Sequence, residues 1–283
     1  MRRCIDRLFV LATAACLIFA LGVISFIVGV IVWRGFGALS WQFLTDQIRS
    51  AGAAGGIFYN IVGTLVLLAT ALVVSAPLAT GLALMHGVYL KKQRSRERLW
   101  MFLSVLNGVP SILFGLFGLM VFVKFFDWGK SWLAGGILLG LMILPTVAVA
   151  LIERIKTLPK QYIEAAAGLG LSDSQRVWSV VLPQSVGGLV TGLLLGLARA
   201  AGETAPIMFT ATIFAGANFP TGIKESPVLS LPYHIFVLAQ DSFDPAAAEN
   251  LWGSALVLLG LVLLLSLLAL PARLNFHEEA GND

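Results

Sequence analysis

Apolar residues in this chain fall into six long runs divided by short polar stretches: Leu8–Val32, Tyr59–Met85, Leu99–Val123, Trp132–Ile152, Val186–Phe209 and Leu251–Leu270. A hydrocarbon core about 30 Å thick takes roughly 20 apolar residues per crossing helix, and each run is of that order. Lipid offers an open backbone no hydrogen-bond partner, so helices are expected throughout. The pattern predicts an all-α, polytopic membrane protein with about six transmembrane helices.

Composition agrees. With 58% hydrophobic and 12% charged residues, and a mean hydropathy of +0.89, a water-soluble globule of this length would lack the polar surface to cover itself. The basic residues then orient the spans. One set of ends and loops carries Arg2, Arg3, Arg7, Lys91, Lys92, Arg94, Arg96, Arg98, Arg154, Lys156, Lys160, Arg176 and Arg273. The other holds only Arg34, Arg49, Lys124, Lys130 and Lys224. Both termini are therefore expected in the cytoplasm. The net charge of +4 is concentrated at membrane edges and calls for no nucleic acid. Arg2, Arg3 and Arg7 ahead of an apolar stretch, with Ala14-Ala15-Cys16 inside it, have the outline of a secretory signal. The stretch continues to Val32, beyond the length of a signal core, and an uncleaved span is expected. Cys4 and Cys16 suggest neither a disulfide framework nor a metal site.

The loop between the fourth and fifth spans has its own chemistry. Pro159 can open a short helix, and Gly168 or Gly170 can close it in a left-handed conformation. Ser172 with Gln175 has the form of a capping box for a second helix, which Leu182-Pro183 is expected to end. The result would be a compact cytoplasmic elbow.

Glu164-Ala165-Ala166, Gly170 and Val180-Val181-Leu182-Pro183, in this register and with this basic flank, resemble the EAA signature of importer-type ATP-binding-cassette permeases. That resemblance implies that the elbow docks on a motor subunit. Glu164 would supply charge, and the small Ala165, Ala166 and Ala167 would let the helix lie deep in a groove. Glu164, Ala165, Ala166, Gly170, Leu182 and Pro183 are accordingly the candidate ATPase-coupling residues. Glu-Ala-Ala alone would be an ordinary Ala-rich amphipathic loop.

Arg199-Ala200-Ala201-Gly202-Glu203-Thr204-Ala205-Pro206 resembles the corresponding segment of PstA-type phosphate permeases. Asn107-Gly108-Val109-Pro110-Ser111, Gly115, Gly118 and Leu231-Pro232 are similar to the same family. The likeness implies a phosphate importer whose partners are an ATP-binding subunit in two copies, a second related permease and an extracytoplasmic phosphate-binding protein. No cofactor, catalytic residue or metal ligand is expected. The domain reading is an N-terminal helix and outer loop over 1–53, the importer transmembrane domain over 54–273 and a cytoplasmic tail over 274–283.

Arg199 can also be read without the family. About 13 residues past Val186, at 1.5 Å per residue, it stands roughly 20 Å into the membrane, where an arginine costs several kcal/mol unless it faces water or a partner. Glu203 is within i,i+4 reach. The pair either ties two helices together or faces the translocation path, where the guanidinium offers its fork of donors to an oxyanion. Glu203 would then neutralise Arg199 at rest or accept a hydrogen bond from a protonated phosphate oxygen. The candidate pathway residues are Arg199, Glu203, Thr204, Asn107 and Ser111. Sulfate or molybdate permeases of the same architecture are an alternative, and a secondary transporter with inverted repeats is another.

Lesser signals complete the picture. Pro110 should kink the third span, and Asn60 and Thr64 at the start of the second are candidates for the pathway. Gly136/Gly140 and Gly192/Gly196 permit close helix contact. Gly129-Lys130-Ser131 imitates the end of a P-loop without the fold that would use it. His86, His234 and His277 are isolated, and most tryptophans fit an interfacial belt.

Overall fold

The computed structural model describes residues 2–49, 52, 54–214, 219–240 and 244–268. Arg273 and the tail 274–283 lie outside the described residues. The principal helices are α1 (Arg2–Gly35), α2 (Trp41–Thr45), α3 (Phe58–Leu84), α4 (Gln93–Asn107), α5 (Ser111–Gly118), α6 (Trp132–Lys156), α7 (Lys160–Gly168), α8 (Asp173–Arg176), α9 (Leu182–Gly202), α10 (Ala205–Thr210), α11 (Leu231–Gln240) and α12 (Pro245–Leu268). A two-stranded antiparallel ribbon, β1 (Ile48–Arg49) with β2 (Ala54–Gly55), follows α2. Five helical stretches are long and apolar enough to cross a membrane, and the bent pair α4/α5 makes a sixth. The expected span count and fold class hold.

The helices α3, α6 and α9 form the centre, with Leu67, Ala71, Met142, Ile143, Val147, Leu151 and Ala200 in one continuous core. Small residues set how closely they approach. A Cβ on Gly140 would stand 3.0 Å from the Ala71 carbonyl oxygen, and one on Gly192 3.0 Å from that of Val147. Gly136 abuts Thr70, and Gly196 abuts Ile143 and Val147. The glycine pairs thus serve packing, as their spacing suggests. Helix α1 lies against α12, where the Arg34 guanidinium sits 5.2 Å from the Trp252 ring. Its apolar side chains from Phe9 to Ile27 face outward, as a lipid-facing helix requires.

Three expectations about proline and helix ends are corrected. The third run is not one kinked span: α4 stops at Asn107, α5 begins at Ser111, and the two axes differ by 90°. Gly108 closes α4 with its N–H on the Ser104 and Val105 carbonyls, while Pro110, extended at ψ 135°, caps α5. Pro110 has no N–H to carry the ladder across. Leu182-Pro183 does not end the second elbow helix. A wide π turn at Val177–Val181 joins α8 to α9, giving one helical rod, Asp173–Gly202. Pro183 falls in the first turn of α9, where the widened ladder absorbs its missing donor. Finally, the rod stops at Gly202 instead of running to Phe209. Glu203 turns the chain into an extended conformation (ψ 121°), and α10 restarts with Pro206 in its first turn.

Asn60 and Thr64 are buried and do not face a pathway. The Leu231 N–H donates to Thr64 Oγ1 at 2.9 Å, and Asn60 Nδ2 donates to the Ser230 carbonyl at 3.5 Å. They pin the segment before α11 to α3 at the end of the bundle opposite the elbow. His234 on α11 is buried beside Phe214, with no hydrogen bond on either ring nitrogen among the described residues. Burial lowers its pKa from 6.5 to about 4. The native state keeps this imidazole neutral while the unfolded chain takes up a proton below 6.5, so the stabilisation is complete above that pH and lost as pH falls towards 4. Thermal unfolding should therefore show the protein about 2 kcal/mol less stable near pH 5 than near pH 7 from this group, and His234→Phe should remove that part of the difference.

Candidate functional site

Three elements converge midway along the bundle. Arg199 stands on the last turn of α9, Asn107 is the last residue of α4 at its 90° break, and Thr146 follows Pro145 in the middle of α6. Arg199 Nη1 donates to Asn107 Oδ1 at 2.6 Å, and Thr146 Oγ1 donates to the same oxygen at 3.2 Å. Two donors on one atom fix the amide's orientation. The Asn107 NH2 is left without a protein acceptor among the described residues. Arg199 Nε lies 3.7 Å from Glu203 Oε1, an ion pair too long for a good hydrogen bond. Both side chains of that pair are partly exposed, at 28% and 19%.

The break in the third span is what makes this possible. A continuous helix would carry its next turn of side chains past Arg199. The turn at Gly108–Pro110 ends α4 and sends α5 sideways against α10, where Gly115 meets the Ala205 carbonyl. Glu203 reaches back one turn because the rod has ended and its backbone is extended.

Other expected residues fall differently. Thr204 Oγ1 donates to the Pro232 carbonyl at 3.5 Å, tying the end of the rod to α11, and is not part of the Arg199 cluster. Ser111 opens α5, and its hydroxyl makes no hydrogen bond among the described residues. Thr146 was missed by sequence reasoning. It is the only polar side chain in the run Trp132–Ile152, and that isolation was its signal. Lys130, within the false P-loop, also has a use. Its Nζ donates to the Met208 and Thr212 carbonyls at 2.9 and 3.1 Å, capping α10, and burial lowers its pKa. The next residue, Ser131, accepts from the Ala134 N–H and caps α6.

At the other end of the rod is the elbow. Pro159 is the N-cap of α7, one position earlier than expected, and Gly170, not Gly168, takes the left-handed conformation (φ +74°). The Gly170 N–H donates to the Ala167 carbonyl and the Leu171 N–H to that of Ala166, a Schellman closure. The Ser172 hydroxyl then accepts from the Gln175 N–H while Gln175 Oε1 accepts from the Ser172 N–H, so the capping box is present. Ala166 is buried in the elbow. Glu164, Ala165, Ala167 and Leu169 are exposed, as is Trp178 on the following π turn. Leu182 and Pro183 lie within the rod, not at a boundary.

Comparison with known proteins gives a consistent picture. The chain is 33% identical over 269 residues to the phosphate transport system permease protein PstA 2 of Mycobacterium bovis, covering 93% of this chain and 86% of that one. It is 32% identical over 274 residues to the phosphate transport system permease protein PstA of Yersinia pestis (95% and 90%). With a probable phosphate transport system permease protein PstA of Methanocaldococcus jannaschii it shares 33% over 257 residues (90% and 88%). Among solved structures, an inward-facing form of the MetNI methionine ABC transporter matches with a TM-score of 0.58 at 15% identity, over 78% of this chain and 94% of that one. At that identity the likeness is one of fold. The model of binding-protein-dependent transport system inner membrane components matches residues 75–274. These are membrane components, and ATP hydrolysis belongs to a separate subunit. An elbow between two spans, a rod leading from it into the bundle and a match over most of the length together place this chain in the family of binding-protein-dependent transport system inner membrane components.

Proposed function

We propose that this chain is the pore-forming permease of an ATP-driven importer of inorganic phosphate. The observation that carries this reading is the Arg199 cluster: a mid-bundle guanidinium half-paired with a carboxylate and held by an amide at a helix break. Donors for an oxyanion are already gathered there in Arg199 and in the unused Asn107 NH2. The relatives named as phosphate permeases support the choice of anion. Glu203 would repel a fully ionised anion, yet it can accept a hydrogen bond from a phosphate hydroxyl. Phosphate keeps a proton at neutral pH and sulfate does not, so the carboxylate favours the former.

In this reading residues 54–273 are the transmembrane domain, and 1–53 add a peripheral span and an outer loop. Both termini and the elbow lie in the cytoplasm, as the basic loops indicate. The ATP-binding subunits, in two copies, dock on the exposed Glu164, Ala165 and Gly170 turn, while the buried Ala166 packs the elbow from within. A second, related permease completes the pore, and an extracytoplasmic phosphate-binding protein docks at the opposite end, over the loops around α11. Nucleotide binding shifts the halves between inward- and outward-open states.

Uptake into cells lacking other phosphate importers tests the reading. Complementation by this chain with its partners should restore ATP-dependent phosphate uptake that unlabelled phosphate suppresses and excess sulfate or molybdate leaves intact. Suppression by sulfate or molybdate instead would reassign the anion.

A further inference from the structure

Where α3, α4 and α6 reach the elbow end of the bundle, a cavity of about 320 Å³ is lined by His86, Gln93, Arg96, Glu97, Trp100 and Lys156. None of these residues belongs to the Arg199 cluster or the elbow. His86 is 7% exposed, and its Nδ1 is buried with no hydrogen-bond partner. Arg96 spends only Nε, on the Leu90 carbonyl at 2.6 Å, so both terminal nitrogens stay available. Lys156 Nζ lies 2.9 Å from Glu153 Oε1 and 4.4 Å over the Trp100 ring. Gln93 Nε2 donates to Glu97 Oε1 at 3.0 Å, which leaves the second carboxylate oxygen open. The cavity therefore offers donors and a carboxylate side by side.

Its position is as specific as its lining. The apolar run of α3 ends here, and exposed Lys91 and Lys92 follow within a few residues, so the cavity sits where hydrocarbon gives way to water. Met85 and Tyr89, on the π turn Met85–Tyr89 that continues α3, and Met101 on α4 expose apolar surface.

We propose that this cavity holds the head group of a membrane phospholipid of the phosphoethanolamine class. The phosphodiester takes the Arg96 terminal nitrogens, beside the buried His86 ring. The ammonium takes the open oxygen of Glu97, and the acyl chains run along Met85, Tyr89 and Met101. Charge complementarity makes this choice. Glu153 is already paired with Lys156, but a bare phosphate, or an anionic head group with no ammonium, would satisfy the donors and leave the Glu97 carboxylate beside it with no cation of its own. At about 320 Å³ the space is within the range of small-ligand pockets, and an aromatic ring beside a lysine at a bilayer edge suits a head-group site. The inference rests on the membrane reading and not on which anion is transported.

Native mass spectrometry of the assembled transporter tests it, after exchange into mixed micelles holding equal amounts of phosphatidylethanolamine, phosphatidylglycerol and phosphatidylcholine. Phosphatidylethanolamine should be retained at least about fivefold over the other two. Arg96→Gln should lose it, and Glu97→Gln should fold normally and lose only the preference over phosphatidylglycerol. Arg94→Gln, whose exposed side chain lies outside the cavity, should change nothing. Added inorganic phosphate should leave the lipid in place. Equal retention of all three lipids, retention unchanged in both cavity variants, or displacement by inorganic phosphate would overturn the proposal, the last assigning the cavity to a soluble anion.

Discussion

Arg199→Gln should abolish phosphate uptake while leaving the protein folded. In the proposed role the guanidinium is the main charged donor to the anion, and losing a charge-assisted contact worth about 3 kcal/mol should lower transport by about 100-fold at limiting phosphate. The Arg199 side chain is one-quarter exposed, and its partners Asn107 and Glu203 keep access to solvent, so detergent melting should shift little. The neighbours separate the roles further. Thr146→Val removes one neutral hydrogen bond to Asn107, worth about 1 kcal/mol, and should reduce uptake only several-fold. Glu203→Gln should retain phosphate transport but admit sulfate, because the acceptor for the phosphate hydroxyl becomes an amide that no longer rejects a bare dianion. Full phosphate uptake in both Arg199→Gln and Glu203→Gln would reduce the pair to a tie between the end of α9 and its own last turn.

Gly170→Val should uncouple the transporter. Gly170 is held at φ +74°, and a Cβ there would meet nothing within 4 Å, so the substitution acts through the backbone alone. A β-branched residue in the left-handed region costs roughly 1–2 kcal/mol, enough to open the Schellman closure between α7 and α8. Gly170→Asn, which tolerates that conformation, should behave nearly as the native chain. In the assembled complex, Gly170→Val should lower phosphate transport by about tenfold and leave basal ATP hydrolysis running without stimulation by substrate. The melting temperature should hardly move, since the elbow is exposed and adds little to the core. Normal coupling in Gly170→Val would mean that the elbow's shape is not what the motor reads.

Much of this architecture was legible in the order of residues, and what was not has a common cause. Apolar runs of bilayer length fix a helix because lipid leaves the backbone no alternative. The Ser172/Gln175 box and Gly170 fix the elbow through local hydrogen bonds that need no tertiary context. Proline was different. Pro77 and Pro145 lie inside unbroken α3 and α6, Pro183 is absorbed by a π turn, and Pro110 accompanies a 90° break. The residue type is the same in each case. The outcome depends on what re-satisfies the freed carbonyls and on whether a helix-ending glycine such as Gly108, two residues before Pro110, stands close by. Thr146 was hidden for a related reason. A hydroxyl on a helix usually donates back to the carbonyl one turn earlier, as those of Thr70 and Thr80 do to Val66 and Ala76, and only the break at Asn107 gave this one a partner on another element.

The continuity from α8 through α9 changes the mechanical picture. An elbow helix ending at Pro183 would reach the span through a flexible joint. Instead the capping box and Arg199 belong to one rod, Asp173–Gly202, about 45 Å long at 1.5 Å per residue. A motor that tilts the elbow must then move Arg199 relative to Asn107 on the neighbouring α4, and their single 2.6 Å hydrogen bond is the contact that this motion opens.

Electron–electron distance measurement between spin labels at Ala198 and Val105, both exposed next to that contact, in the assembled complex with Cys4 and Cys16 replaced, tests this claim most directly. The account predicts a distance distribution that shifts when a non-hydrolysable ATP analogue binds, and a shift that Gly170→Val abolishes. A distribution that stays the same with and without nucleotide would contradict it.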